Sequence, residues 1–254
     1  MTAGPNMPAS RDRAHYSYEH YADQDIAERF DQLRFGGPIG ALLAETQARL
    51  LLDALAPLEG AVVLDVGTGT ARGALTLARA GARVVGLDAS MEMLRVGRAR
   101  AAAEAAAIAF GRADAQALPV ADRSVDAVVC LRLLMHVVDW RRAVGELCRV
   151  ARRRVVLDFP SARSAAALES AARRLARAAG RRVEAYRVMS ERTMRRELAA
   201  HGFRVTTVRR QFVLPIALHK ALGRAGVTQA VERGLEAVGL LRLVGSPVTM
   251  VAER

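Results

Sequence analysis

The stretch Val62-Val63-Leu64-Asp65-Val66-Gly67-Thr68-Gly69-Thr70 constrains this chain more than any other. A short apolar strand runs into glycines, and a helical pattern begins directly after them. Glycine lets the backbone turn tightly and lets a ligand approach where a side chain would stand in the way. The helix start beyond it offers unpaired N–H groups and a positive partial charge, which suit an anionic ligand group. Such a join demands a buried strand feeding a helix at the edge of a sheet.

The surrounding sequence repeats that join. Strands are expected at residues 62–66, 84–87, 108–112, 125–131 and 154–159, with helices at 39–55, 71–80, 90–107 and 139–150 between or before them. Short apolar strands alternating with helices predict a parallel sheet covered on both faces. Beyond residue 159 the rhythm changes. Helical patterns cover 164–179 and 191–201, a long strand 203–213, small helices 215–222 and 228–238, and a last strand 247–252. The expected fold class is α/β: Rossmann-like and doubly wound, with a mostly parallel seven-stranded sheet, an antiparallel C-terminal strand and helices on both faces. Residues 1–40 are expected as an N-terminal tail and lid helices. Residues 41–254 then form the main domain, with helical insertions that select the substrate within 160–235.

Composition narrows the class. An apolar fraction of 52% over 254 residues supports a globular core, and an aromatic fraction of 4% means that Ala, Val and Leu build it. The net charge of +12 suggests acidic partners, yet 37 of the 38 basic residues are arginines scattered over many helix faces, with Lys220 the one exception. No groove-reading module is recognisable, so nucleic acid is disfavoured as a partner. Cys130 and Cys148 are too few and wrongly spaced for a disulfide framework or a zinc site, and both fall in apolar stretches as buried thiols. No metal site is expected. No apolar run approaches the ~18 residues that span a bilayer, and the first thirty residues hold no signal-peptide centre. A cytoplasmic protein is expected, with peripheral membrane contact left open.

Three carboxylates carry the chemistry. Asp65 sits two residues before the first glycine, where a pyrophosphate-binding loop has little use for negative charge but a ligand bearing an ammonium and a sulfonium would be attracted. Asp88 closes the second strand, at a separation from the glycine loop that fits a grip on two ribose hydroxyls. Asp114 follows the third strand. The alternatives are a turn-capping role for Asp65 and a helix cap for Asp88.

The stretches VVLDVGTGTARGALTLA, VVGLDASMEMLRVGR, GRADAQALPVADRSVDAVVC and LLMHVVDWRRAVGELCRV occur in this order over roughly residues 60–160. Together they resemble the class I S-adenosylmethionine-dependent methyltransferases, and more closely the small-molecule branch that includes ubiquinone and menaquinone biosynthesis enzymes. The resemblance implies S-adenosyl-L-methionine as cofactor. It implies that Asp65, Gly67 and Gly69 line the methionine moiety, with Thr68 also at the cofactor, that Asp88 holds the ribose, and that Asp114 with the Ala115 backbone meets the adenine amino group. Ala89 and Met93 would flank the adenine ring, with Leu131 also at the cofactor; Met93 reads equally as helix core. Where the family usually has a third glycine this chain has Ala71, which is acceptable if its φ is negative.

His136 is the candidate base near the methyl group, following the fourth strand at the sheet's carboxyl edge; packing beside Trp140 is the alternative. His15, Tyr16, Tyr18, His20 and Tyr21 form a polar-aromatic cluster, from which Tyr21 is chosen as a contact for the cofactor carboxylate; a surface helix is the alternative. Residues 211–222 (QFVLPIALHKAL) read first as a helix packed on the sheet, and otherwise as the wall of a greasy substrate site or a membrane-surface segment. The expected activity is methyl transfer to a small, apolar or quinone-like acceptor. An RNA methyltransferase, an NAD(P)-dependent oxidoreductase on the spacing Gly67-x-Gly69-x-x-x-Gly73, and a non-catalytic cofactor-binding module are the rivals.

Overall fold

A computed structural model of the protein describes residues 21–180 and 186–254. Elements are numbered here in chain order within those residues. His15, Tyr16, Tyr18 and His20, and the expected tail, lie outside them.

Two helices, α1 (Gln24–Phe35) and α2 (Gly37–Leu55), lead into β1 (Val62–Val66), α3 (Arg72–Arg79), β2 (Arg83–Asp88), α4 (Met91–Ala103), β3 (Ile108–Arg112) and β4 (Val125–Cys130). A short 3-10 turn (Leu134–His136) precedes α5 (Trp140–Val150) and β5 (Ala151–Phe159). Then come α6 (Ala165–Ala178), α7 (Glu191–Ala200), β6 (Arg204–Phe212), α8 (Ile216–Leu222), α9 (Ala225–Ala237), α10 (Leu240–Val244) and β7 (Ser246–Glu253).

The seven strands form one sheet in the order β3-β2-β1-β4-β5-β7-β6. Strands β1 to β5 pair in parallel, while β7 runs antiparallel between β5 and β6. The expected fold is observed. Its order reverses between β1 and β4, the switch point beside which open α/β sheets hold ligands.

Burial on both faces explains the apolar strands. Val63 faces one layer, where Leu51 and Leu55 of α2 and Ala74 and Leu77 of α3 pack with Val84 and Val129. Its neighbour Leu64 faces the other, where Val144 and Leu147 of α5 and Met194 and Leu198 of α7 pack with Val128, Val155 and Leu157. Successive strand residues point to opposite faces, so both had to be apolar.

Several boundaries differ from expectation. Helix α4 stops at Ala103 rather than near 107, because Ala105 adopts a left-handed φ of 51° that turns the chain into β3. Strand β5 starts three residues early, at Ala151, its polar Arg152 and Arg153 masking the pairing. Helix α8 packs mainly on α2 and α9, and meets the sheet at its edge, where Ile216 and His219 contact Phe212 at the end of β6. Its buried His219 explains why: the ring meets Glu232 at 2.8 Å and the Thr228 hydroxyl at 3.1 Å. Glu232 also accepts the Val213 and Leu214 amides, so one carboxylate fastens α9 to the end of β6.

Candidate active site

The carboxyl ends of β1, β2 and β4 enclose two adjoining hollows. The smaller, of about 70 Å³, is lined by Asp88, Ala89, Asp114, Ala115, His136 and Tyr21 among others. The second, of about 140 Å³, is lined by Asp65, Gly67, Thr68, Gly69, Arg72, Met93, Leu131, and again Tyr21, Asp88 and His136. All twelve residues expected at the site therefore border one hollow or the other. Met93 differs in detail, since it borders the larger hollow and not the one holding Asp114 and Ala115.

The glycine loop is tied to its neighbours. The Gly67 and Thr68 amides donate to the Leu87 carbonyl at 2.8 and 3.0 Å, fastening the loop to β2. Gly67 has a φ of 74°, and a Cβ there would stand 2.8 Å from the Leu133 side chain. Both facts require glycine. Ala71 departs from expectation: its φ is 63°, left-handed, not negative. That conformation costs an L-residue roughly 1–2 kcal/mol. It is held because the buried Ala71 methyl sits where Gly97 of α4 leaves space: a Cβ on Gly97 would lie 3.2 Å from it.

Asp65 is buried at the end of β1 and accepts the Thr68 hydroxyl at 2.9 Å. Burial raises its pKa from 3.8 to about 6, against the lowering by Thr68 and with a further rise from the nearby Asp88. Asp88 accepts the Gly69 amide at 2.9 Å and the Ser90 amide at 2.8 Å. It thus clamps the loop and the turn into α4, but the cap of α4 is Ser90, whose hydroxyl accepts the Met93 amide at 3.1 Å, so the helix-cap alternative is not what is seen; Asp88 borders both hollows. Burial raises its pKa as well, opposed by those amides. Asp114 is buried and accepts the Gln116 amide at 3.0 Å, and the Gln116 side-chain carbonyl accepts the Asp139 amide at 2.9 Å. Gln116, which the sequence reading missed, thereby connects the Asp114 carboxylate to the start of α5.

His136 is buried at the end of the 3-10 turn, its ring edge-on to Tyr21 at 5.9 Å. Tyr21 also meets Phe30 edge-on at 6.2 Å, and its carbonyl accepts the Ser90 hydroxyl. Helix α1 is drawn over the site by Arg95–Glu28 at 2.6 Å and by an Arg100–Asp31 ion pair. The Cys130 thiol is fully buried and its pKa is driven up by burial, with Asp158 and Asp65 adding to the rise.

A third hollow, of about 300 Å³, opens beside these and shares Arg34, Phe35, Gln47 and Arg132 with the second. Its walls include Leu43, Met135, Phe159, Phe212, Leu214 and Ile216, so residues 211–217 do line a greasy chamber. Asp158, also missed from sequence, lies buried on its wall at the end of β5 and accepts the Arg132 amide. Burial raises the Asp158 pKa, with Arg132 opposing. Among the described residues no cluster suited to a metal ion occurs, and no helix is long and apolar enough to cross a membrane.

Residues 64–157 match the family described as "Methyltransferase domain". The demethylmenaquinone methyltransferase of Thermus thermophilus is 42% identical over 103 residues, covering 39% of this chain and 47% of that protein. That of Clavibacter sepedonicus is 41% identical over 109 residues, covering 42% and 44%. The chain thus spans about half the length of the curated relatives it matches. Among solved structures, magnesium protoporphyrin IX methyltransferase from Synechocystis PCC 6803 with bound SAH has a TM-score of 0.66 at 20% identity, covering 93% of this chain and 97% of that one. Geranyl diphosphate methyltransferase in complex with GPP and sinefungin has a TM-score of 0.61 at 20% identity, covering 83% and 77%. The matched segment lies across the glycine loop and the switch point: residues 64–157 match a methyltransferase domain, are similar in sequence to the demethylmenaquinone methyltransferases, and sit in a fold shared with the SAH-bound magnesium protoporphyrin IX methyltransferase.

Proposed function

We propose that the protein transfers the methyl group of S-adenosyl-L-methionine to a small, largely apolar, quinone-like acceptor. The observation that carries this reading is the junction of the three hollows. A nucleoside gripped by Asp88 and Asp114 would send its sulfonium past Asp65 toward Arg132, where the 300 Å³ chamber begins. Such a volume lies at the small end of ligand pockets. The names of the sequence relatives favour a quinone-related acceptor, and the apolar walls favour a greasy one.

The sulfonium supplies an activated methyl group. What remains for the chain is to align the acceptor in line with it, exclude water and take a proton from a protic acceptor. Tyr21 and α1 act as the lid over the nucleoside, and the segment from α6 to α9 selects the acceptor. Two groups are suited to take the proton. His136 borders both cofactor hollows, and Asp158 borders the chamber itself, with a carboxyl group already made more basic by burial. The buried, unpaired thiols suit a reducing, cytoplasmic setting.

Incubation with methyl-labelled S-adenosylmethionine and a cell extract, separated into lipid, small-molecule and RNA fractions, tests this function. Label is expected in the apolar small-molecule fraction. Label confined to RNA, or none in any fraction, contradicts it. With the acceptor in hand, replacement of the base that acts should slow turnover by about a hundredfold or more while cofactor affinity holds.

A further inference from the structure

We propose that Arg72 is the receptor for the carboxylate of the bound cofactor, so that the amino-acid end of that ligand is held as a zwitterion between Arg72 and Asp65. The inference rests on the cofactor reading above and gives the carboxylate, which the sequence pointed toward Tyr21, to a residue of the same hollow that had no role there.

Arg72 opens α3, directly after the glycine loop, and its side chain lines the same 140 Å³ hollow as Asp65 and Thr68. Among the described residues, its Nε and Nη1 are buried without a hydrogen-bond partner. Unmet donors hidden from solvent are costly and call for an explanation; here a ligand that completes them supplies one. The nearby anions are engaged. Asp31 takes the Arg100 guanidinium and the Thr70 hydroxyl, Asp65 takes Thr68, and Asp88 takes two backbone amides.

The local charge bears on the case. Burial lowers the Arg72 pKa to about 10, which leaves it charged at neutral pH; Asp31 opposes that fall, while Arg100 and Arg132 add to it. The Phe35 ring covers one face of the guanidinium, leaving its edge for planar, in-plane contacts, the geometry that suits a carboxylate. The α3 N-terminus contributes positive partial charge at the same place. A ligand carboxylate would satisfy these donors and screen the three arginines from one another. Its neighbouring ammonium would meet Asp65, whose burial demands a cation in the same way.

Calorimetric titration with S-adenosylhomocysteine and with its decarboxylated analogue, which keeps nucleoside, thioether and amine, tests the assignment. The wild-type protein should prefer S-adenosylhomocysteine by about tenfold to a hundredfold, the range of a charged hydrogen-bonded contact. Arg72→Met should erase that preference while changing affinity for the decarboxylated analogue by less than about threefold. Arg72→Lys should restore part of it, and Arg72→Gln gives the same reading should the methionine variant fold poorly. A preference that survives in Arg72→Met or Arg72→Gln overturns the assignment and leaves the cofactor reading intact. A wild-type protein that binds neither compound overturns the cofactor reading, and the role of Arg72 falls with it.

Discussion

Asp65 shows how one residue joins stability to binding. Its folded pKa of about 6 lies above its ordinary value of 3.8, so between these values the unfolded chain has released a proton that the folded chain still holds. Stability contributed at this position therefore falls as pH rises from about 4 to 6 and stays lower above. At 1.36 kcal/mol per unit the loss is on the order of 3 kcal/mol. A cationic ligand reverses the sign, because it favours the charged carboxylate. Melts at pH 5 and 7.5 should show a wild-type stability drop that Asp65→Asn lessens, and protection by S-adenosylmethionine that grows with pH in wild type only. Equal pH slopes for the two proteins would refute this account of Asp65. The residue's type and place were legible in the sequence, since a carboxylate two positions before a glycine loop is a local signal. The left-handed φ of Ala71 was not, because it depends on Gly97 twenty-six positions onward leaving room for the methyl group. Gly97→Val should therefore destabilise the fold by roughly 1–3 kcal/mol through overpacking and weaken S-adenosylhomocysteine binding in parallel. Unchanged melting and affinity would mean that α4 is not seated on the loop as described.

At the scale of elements, helix α1 depends on partners far away in sequence. Lys220 of α8 donates to the Leu33 and Arg34 carbonyls at 2.8 and 3.1 Å, capping the end of α1 with a cation. Such a contact is worth roughly 0.3–1 kcal/mol. Lys220→Met should accordingly leave global stability nearly unchanged while speeding hydrogen exchange of the α1 amides severalfold. Exchange that stays as in wild type would show that α1 is held without this latch. Strands were easier to read than such contacts: β1 and β4 announce themselves by short apolar runs because both their faces are buried, and β2 largely so, while the edge strand β3 carries an apolar run with exposed positions. Strand β5 was read short, since Arg152 and Arg153 interrupt that pattern at its start. The seating of α8 mainly on α2 and α9 was less legible, because an apolar helix fits equally well against a sheet or against other helices. The His219–Glu232–Thr228 cluster that decides it joins residues with no common motif.

For the whole molecule, the local joins of strand, glycine and carboxylate forecast both the sheet and the edge at which the two hollows open. The chamber of about 300 Å³ was less legible. Its wall gathers Leu43 from α2, Asp158 from β5, Tyr186 and the end of β6, elements brought together only by the antiparallel return of β7 and the helices around it. The central claim is that carboxylates at the ends of β1, β2 and β3 hold one sulfonium nucleoside at the switch point of the sheet. Calorimetry of S-adenosylhomocysteine against the wild type and Asp88→Ala tests it most directly. The account predicts saturable binding of one equivalent by the wild type, about tenfold to a hundredfold weaker in the variant, and no comparable binding of NAD. Equal affinity in the two proteins, or uptake of NAD with no response to the nucleoside at millimolar concentration, would contradict it.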